Sequence, residues 1–273
     1  MPLYVVATPI GNLQDLTIRA REVLSTCDGV VAEDTRHSEK LLRHLGVHKK
    51  LYSLPAFDEE GRSEGILSRL AEGASLALVT DAGTPAVSDP GALLVRRAVE
   101  QGVPVVPVPG PSAAIAAVSV SGFTEPRFHF AGFLPRKAGA RSAMLDELRA
   151  LRAQLVFYES PHRLAATLRD LRSTLGDRPA VVARELTKVH EELSRGTLSQ
   201  LAGRFSGEVR GEVVVVVSGA PEAEQAGEDP ADLEREVRER LSRGERPKDI
   251  AEALSGSHAK REVYQLALKL KER

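Results

Sequence analysis

The feature that most constrains this chain is its alternation of short, apolar, β-branched runs with amphipathic helical stretches. Leu76-Ala77-Leu78-Val79 and Val213–Val217 are apolar at consecutive positions. Strands of this kind are buried on both faces, as in a sheet covered by helices, whereas a half-exposed strand alternates. Leu3–Ala7, Gly29–Ala32, Ser75–Thr80 and Val103–Val108 form one predicted set of strands. Phe128–Phe133, Leu155–Tyr158, Ala180–Ala183 and Glu212–Ser218 form a second. Between them run helical stripes: Ile18, Ala20, Val23 and Leu24; Leu41, Leu42 and Leu45, stopped by Gly46; Leu145, Leu148 and Leu151; and Leu164, Leu168, Leu171 and Leu175, stopped by Gly176. Strands alternating with helices predict an α/β protein.

A proline-rich turn, Pro107–Pro111, and a small-residue helix over Ser112–Ser121 divide the two strand sets. The expected organisation is an N-terminal α/β lobe over 1–118 and a C-terminal α/β lobe over 119–221. After a Gly- and Glu-rich linker, a small helical appendage follows over 230–273. Pro230 and Pro247 are suited to helix starts, and Val263, Leu266 and Leu270 share one face. Residues 235–273 carry 11 Lys and Arg against 7 Asp and Glu, while the whole chain has a net charge of −1. Any contact with a polyanion is therefore local, not a basic coat. The single cysteine, Cys27, excludes an internal disulfide and reads as a buried thiol at a helix end. No signal-length or membrane-length apolar run is present, so a cytoplasmic location away from membranes is expected.

Chemistry-bearing residues collect where predicted strands end. Thr80-Asp81-Ala82-Gly83-Thr84-Pro85 and Ser88-Asp89-Pro90-Gly91 follow one apolar strand, and Pro109-Gly110-Pro111-Ser112 follows another. In open α/β sheets ligands bind outside the carboxyl ends of strands, and Gly83 would let a ligand approach the backbone. Ser112 is placed to cap the small-residue helix. Thr8–Leu13, Glu33–His37, Phe157–Arg163 and Ala183–Lys188 also sit at strand exits, so a charge-lined cleft is expected. The two loops after the apolar first-lobe strands each read equally well as an ordinary turn; a helix cap explains one residue of Glu33–His37 but not the set, and an acid–base pair as in Phe157–Arg163 or Ala183–Lys188 alone reads more often as a surface salt bridge. No dinucleotide or P-loop glycine fingerprint occurs, and no metal site is predicted.

Read in order, these loops together with Phe133-Leu134-Pro135-Arg136 and Gly211-Glu212 resemble the bacterial small-subunit ribosomal RNA methyltransferase I group of the tetrapyrrole-methylase superfamily. Thr80 is a mild departure, standing where serine is more usual in that group. The resemblance implies a two-lobed class III methyltransferase fold, homodimeric, with S-adenosylmethionine bound between the lobes. It implies 2′-O-methylation of a cytidine ribose in the decoding region of 16S rRNA, either free or in the 30S particle. Ile10, Gly83, Thr84, Val87, Ser112, Ala113, Tyr158, Leu186 and Glu212 would form the cofactor site. Glu185 and Asp34 are candidate bases, and Lys188 a candidate for stabilising the alkoxide. Asn12, Arg36, His37, Arg136, Lys137, Arg163 and Arg184 would meet the RNA. The alternatives are a small-molecule tetrapyrrole methylase and a non-catalytic RNA-binding or assembly factor on the same fold.

Overall fold

The computed structural model describes residues 1–221, 230–254 and 260–271. The first lobe runs β1 (Leu3–Val6), α1 (Ile18–Thr26), β2 (Gly29–Ala32), α2 (Thr35–His44) and β3 (Lys50–Ser53). It continues with α3 (Glu59–Ala71), β4 (Leu76–Val79), α4 (Ala92–Glu100) and β5 (Val105–Val108). Its five strands lie in the order β3-β2-β4-β1-β5 and all pair in parallel. The two faces are covered separately. Val31, Leu54, Ile66, Leu70, Leu78 and Leu94 pack on one side, and Val6, Leu24, Val30, Leu42 and Val79 on the other. That double burial is why Leu76–Val79 is apolar at every position, including both the residues facing α3 and α4 and those facing α1 and α2.

The second lobe comprises α5 (Ala113–Ser119), β6 (Phe128–Phe133), α6 (Ala138–Leu148), β7 (Gln154–Glu159), α7 (Leu164–Leu175), β8 (Pro179–Arg184), β9 (Glu192–Thr197), α8 (Leu198–Arg204) and β10 (Val213–Val217). Its sheet order is β6-β7-β10-β8-β9; β6 and β7 are parallel and the other pairs antiparallel. Central β10 alternates its valines between two cores. Val213, Val215 and Val217 face Leu145, Phe157, Leu168 and Leu198, while Val214 and Val216 face Ala114 and Ala117 of α5. The small residues of α5 let its backbone lie close to the sheet.

A separate unit begins at Ala220. There α9 (Pro230–Ser242), α10 (Pro247–Ala253) and α11 (Lys260–Lys271) bury Val237, Ile250, Ala251, Leu254, Val263 and Ala267 together. Both prolines begin helices, and Leu266 and Leu270 pack beside Val263. Most of the expected linker, 222–229, lies outside the described residues. No helix among the described residues is long and apolar enough to cross a membrane.

Three local expectations are corrected. Ile18 is 80% exposed at the first turn of α1, outside the apolar stripe. Leu151 lies past the end of α6, although it still packs against the second-lobe core. Ser112 occupies the position before α5 without a side-chain capping bond. The strands β3 and β9 were not predicted. Both are edge strands with one neighbour, and their exposed polar residues hide the apolar pattern. Cys27 ends α1 as a buried thiol, and burial raises its pKa.

Phe157 is fully buried in the main second-lobe core. Phe157→Ala is expected to lower unfolding free energy by about 3–5 kcal/mol through lost burial and a cavity. Urea denaturation followed by circular dichroism measures this.

Candidate active site

Because every strand of the first sheet is parallel, β1, β2, β4 and β5 all deliver their following loops to one edge. The loop after β1 is pinned to the loop after β4. Thr8 and Gly83 exchange both backbone hydrogen bonds, at 2.8 and 3.1 Å, and the Thr8 hydroxyl donates to the Thr80 carbonyl at 3.0 Å. The loop after β4 is in turn tied to that after β5, where the Thr84 hydroxyl donates to the Pro111 carbonyl at 3.2 Å. Glu59 at the start of α3 fixes the end of the same loop, one carboxylate oxygen accepting from the backbone N–H groups of Gly91, Leu93 and Leu94. Gly91 has φ +122°, and a Cβ there would strike Leu78.

These loops and the second sheet enclose a cavity of about 460 Å³. The first lobe contributes Ile10, Glu33, Asp81, Ala82, Gly83, Ser88 and Asp89. The second contributes Ala113, Phe133, Tyr158, Glu159, Leu186, Glu212 and Val214, among others. Gly83, at φ +89°, opens its backbone to this space. Tyr158 stacks edge-on against Phe130 and Phe133, and its hydroxyl meets Ser112 and the Ala114 backbone. Among the described residues four non-glycines have left-handed backbones: Ala86 and the lining residue Ser88 in the loop after β4, and Glu185 and Thr187 either side of the lining residue Leu186. Such conformations persist only where surroundings enforce them, and they cluster at ligand sites.

Electrostatically the first-lobe wall is acidic. Burial pushes the Glu33 carboxyl up, reinforced by Asp89, Asp81 and Asp34. Burial also raises Asp89, with Asp81 adding repulsion and Thr80 opposing it. The Thr80 hydroxyl approaches both carboxylates without closing a normal hydrogen bond. Glu159 is a different case. Its buried carboxylate accepts from the Ser160 N–H at 2.7 Å and the Thr167 hydroxyl at 2.6 Å, which makes it part of the scaffold.

Of the residues expected at the cofactor site, Ile10, Gly83, Ala113, Tyr158, Leu186 and Glu212 line the cavity. Thr84, Val87 and Ser112 do not. Thr84 is turned to Pro111, Ser112 touches Tyr158 from behind, and Val87 is 37% exposed. Glu33, Asp81 and Asp89 line it without having been assigned to it. The signal in sequence was their place at strand exits, but nothing there showed which carboxylates are buried.

The candidate bases are both engaged by partners. Asp34 is the N-cap of α2, accepting from the Arg36 N–H at 2.9 Å and from its guanidinium at 2.9 and 3.1 Å. Those bonds hold its carboxyl at about 2. Glu185 accepts from Lys188 Nζ at 2.8 Å and from the Glu212 N–H at 2.9 Å, which lowers its pKa. Lys188 also reaches Glu212, at 3.1 Å. Burial works against its charge, but the bonds from Glu185 and Glu212 outweigh that and raise its pKa. Its stem lies over Gly11 of the opposite lobe, where any Cβ would collide with it.

The expected RNA contacts divide likewise. Arg136 and Lys137 are exposed where β6 leads into α6, and His37 is exposed on α2. Arg36 is held by Asp34, and Asn12 caps a short turn by accepting from Gln14. Arg163 donates to the Leu134 carbonyl at 3.0 Å and lies 3.5 Å from buried Glu159. Arg184 is gripped by Glu192 through two bonds, at 3.0 and 2.8 Å. The last two arginines are therefore structural ties, not free phosphate ligands.

A doubly wound parallel lobe facing a mixed second sheet across a ligand-sized cavity defines a two-lobed α/β methylase architecture. Residues 2–202 match the family of Tetrapyrrole (Corrin/Porphyrin) Methylases. The chain belongs to that family and, within it, to the ribosomal RNA small subunit methyltransferase I group. It is 51% identical over 231 residues to such a protein from Micromonospora olivasterospora, covering 84% of this chain and 74% of the relative. A relative of the same name from Synechocystis is 42% identical over 272 residues, 98% of each chain. Among solved structures, diphthine synthase matches with a TM-score of 0.64 at 19% identity, over 80% of this chain and 90% of the other. A uroporphyrin-III C-methyl transferase from Thermus thermophilus, complexed with S-adenyl homocysteine, matches with a TM-score of 0.59 at 19% identity, over 80% and 97%. Those two likenesses concern the fold.

Acids that hold protons more tightly when folded make stability fall as pH rises from the ordinary carboxylate range through the raised values. Asp89→Asn is therefore expected to stabilise the ligand-free protein at neutral pH and flatten that decline. A melting temperature higher by about 2–4 °C, the shift from roughly 1 kcal/mol in a chain of this size, is the expected calorimetric result.

Proposed function

We propose that this protein methylates the ribose 2′-hydroxyl of a cytidine in the decoding region of small-subunit ribosomal RNA, with S-adenosylmethionine as donor. The observation that carries the reading is the cavity between the carboxyl edge of the parallel sheet and the second lobe, in a chain whose relatives are named as ribosomal RNA small subunit methyltransferases.

The cavity fits such a donor. Ile10, Ala113, Leu186 and Val214 give apolar walls suited to a nucleoside. Glu33 and Asp89 supply negative charge for a cationic group, and burial, reinforced by neighbouring carboxylates, raises the pKa of both. When bound, S-adenosylmethionine supplies a methyl group already activated on a sulfonium. The residues then have chiefly to align and to exclude water. Ser112 steadies Tyr158, and Thr84 holds the loop after β4 in place. Glu185 and Glu212 position the Lys188 ammonium at the mouth, where it can steady a developing oxyanion. Arg136 and Lys137 offer exposed cations, and His37 an exposed imidazole, to RNA phosphates. Homodimerisation is part of the proposal, supported by exposed Ile115 and Val120 along α5. Sedimentation measures it.

The test is transfer of labelled methyl to small ribosomal subunits that lack their native methylation, with nuclease mapping. Label on one ribose of the RNA is expected; label only on an added tetrapyrrole would establish the small-molecule alternative instead. Asp89→Asn should weaken S-adenosylmethionine about tenfold, or roughly 1.4 kcal/mol, and S-adenosylhomocysteine, which lacks the sulfonium charge, much less. Titration calorimetry with both ligands reads the difference.

A further inference from the structure

Behind the loop after β4 lies a second, smaller cavity of about 120 Å³, lined by Thr8, Pro9, Leu13, His37, Ser38, Lys40, Leu41, Thr80 and Asp81. Asp81 is the one residue among the described ones that lines both this cavity and the larger one. Three residues on its walls carry a buried polar atom without a partner. The Ser38 and Thr80 hydroxyls, each on a residue 3% exposed, and Asp81 Oδ1 make no hydrogen bond among the described residues. Buried polar atoms nearly always find partners, and three orphans on residues around one small space point to a group that enters it. The chemistry of that group is set by the walls. A hydroxyl and a carboxylate ask for a hydroxyl-bearing ligand, and His37 and Lys40 at the exposed rim ask for negative charge beside it. A ribose flanked by phosphate has both.

We infer that this smaller cavity receives the acceptor sugar of the RNA and that Asp81 takes the proton from its reacting hydroxyl. The inference rests on the methyl-transfer reading above and assigns that site a base in place of Asp34 and Glu185. Asp81 stands where donor cavity and acceptor cavity meet, whereas Glu33 and Asp89 line the donor side alone. Ser38 bonds a second oxygen of the sugar and fixes its orientation. As the sugar oxygen forms its bond to the methyl carbon, the carbon–sulfur bond breaks and its electrons stay on sulfur as a neutral thioether. The hydroxyl proton passes to Asp81 Oδ1 and from there to water, which restores the carboxylate.

The experiment compares the full-length wild type with Asp81→Asn and Ser38→Val. Asp81→Asn keeps the shape and removes the basic oxygen. Ser38→Val fills the small cavity with an apolar group and breaks no hydrogen bond, so folding is spared. Single-turnover methylation of undermethylated small subunits should fall about a hundredfold or more in Asp81→Asn, the usual loss on removing a general base, and should also fall in Ser38→Val. S-adenosylhomocysteine affinity, measured by calorimetry, should stay within threefold of wild type in Ser38→Val, and the loss in Asp81→Asn should persist at saturating S-adenosylmethionine. Wild-type rates in both variants would overturn the inference and leave the methyl-transfer reading standing. Recovery of the Asp81→Asn rate at saturating S-adenosylmethionine would also overturn it, by limiting Asp81 to donor binding. A wild type that binds cofactor but labels no RNA would overturn the reading and the inference together.

Discussion

Thr8 and Gly83 exchange two backbone hydrogen bonds at the point where β1 and β4 have just ended. A parallel sheet leaves irregular backbone at its carboxyl edge, and those polar groups must be satisfied before anything can be built on them. Here they satisfy one another across loops, and the Thr8 hydroxyl takes the Thr80 carbonyl as well. The result is a rigid floor in which Gly83 presents open backbone and Asp81 is held between two cavities. The contacts of Thr84 with Pro111 and of Glu59 with the start of α4 extend the same rigidity to both flanks.

The second lobe meets this floor with a different construction. Its mixed sheet brings β7, β8 and β10 together so that Tyr158, Leu186 and Val214 face the first lobe. The turn after β8 adopts left-handed backbone at Glu185 and Thr187 and is fastened by Glu185 to the Glu212 N–H. That fastening explains why Gly211, at φ +90°, has no side chain: a Cβ would collide with the Glu185 carboxylate. Lys188 then reaches over Gly11 of the first lobe. The Glu185–Lys188–Glu212 cluster lies within the second lobe, and the Lys188 stem carries it across to the first.

Much of the fold was legible because burial leaves its mark on sequence. Central strands such as β4 and β10 are apolar on both faces and could be read as such, whereas β3 and β9, paired on one side only, could not. The strand exits were legible as a set, and six residues expected at the donor site line the larger cavity. What sequence withheld was the pairing of charges. Arg184 is paired with Glu192 on the neighbouring strand, and Arg163 with buried Glu159 at the end of β7, four residues before it. Glu33 and Asp89 are raised by burial between loops distant in the chain, whereas Asp34 is lowered by its bonds with Arg36.

The central claim is that the donor binds between the floor at Gly83 and the second-lobe turn at Glu185, touching both. Amide hydrogen exchange with and without saturating S-adenosylhomocysteine tests it most directly. The account predicts slowed exchange in residues 82–84, 112–114, 185–187 and 211–214 together, with the helical unit from residue 230 onward unchanged. Protection confined to one lobe, or absent from both loops, would contradict it.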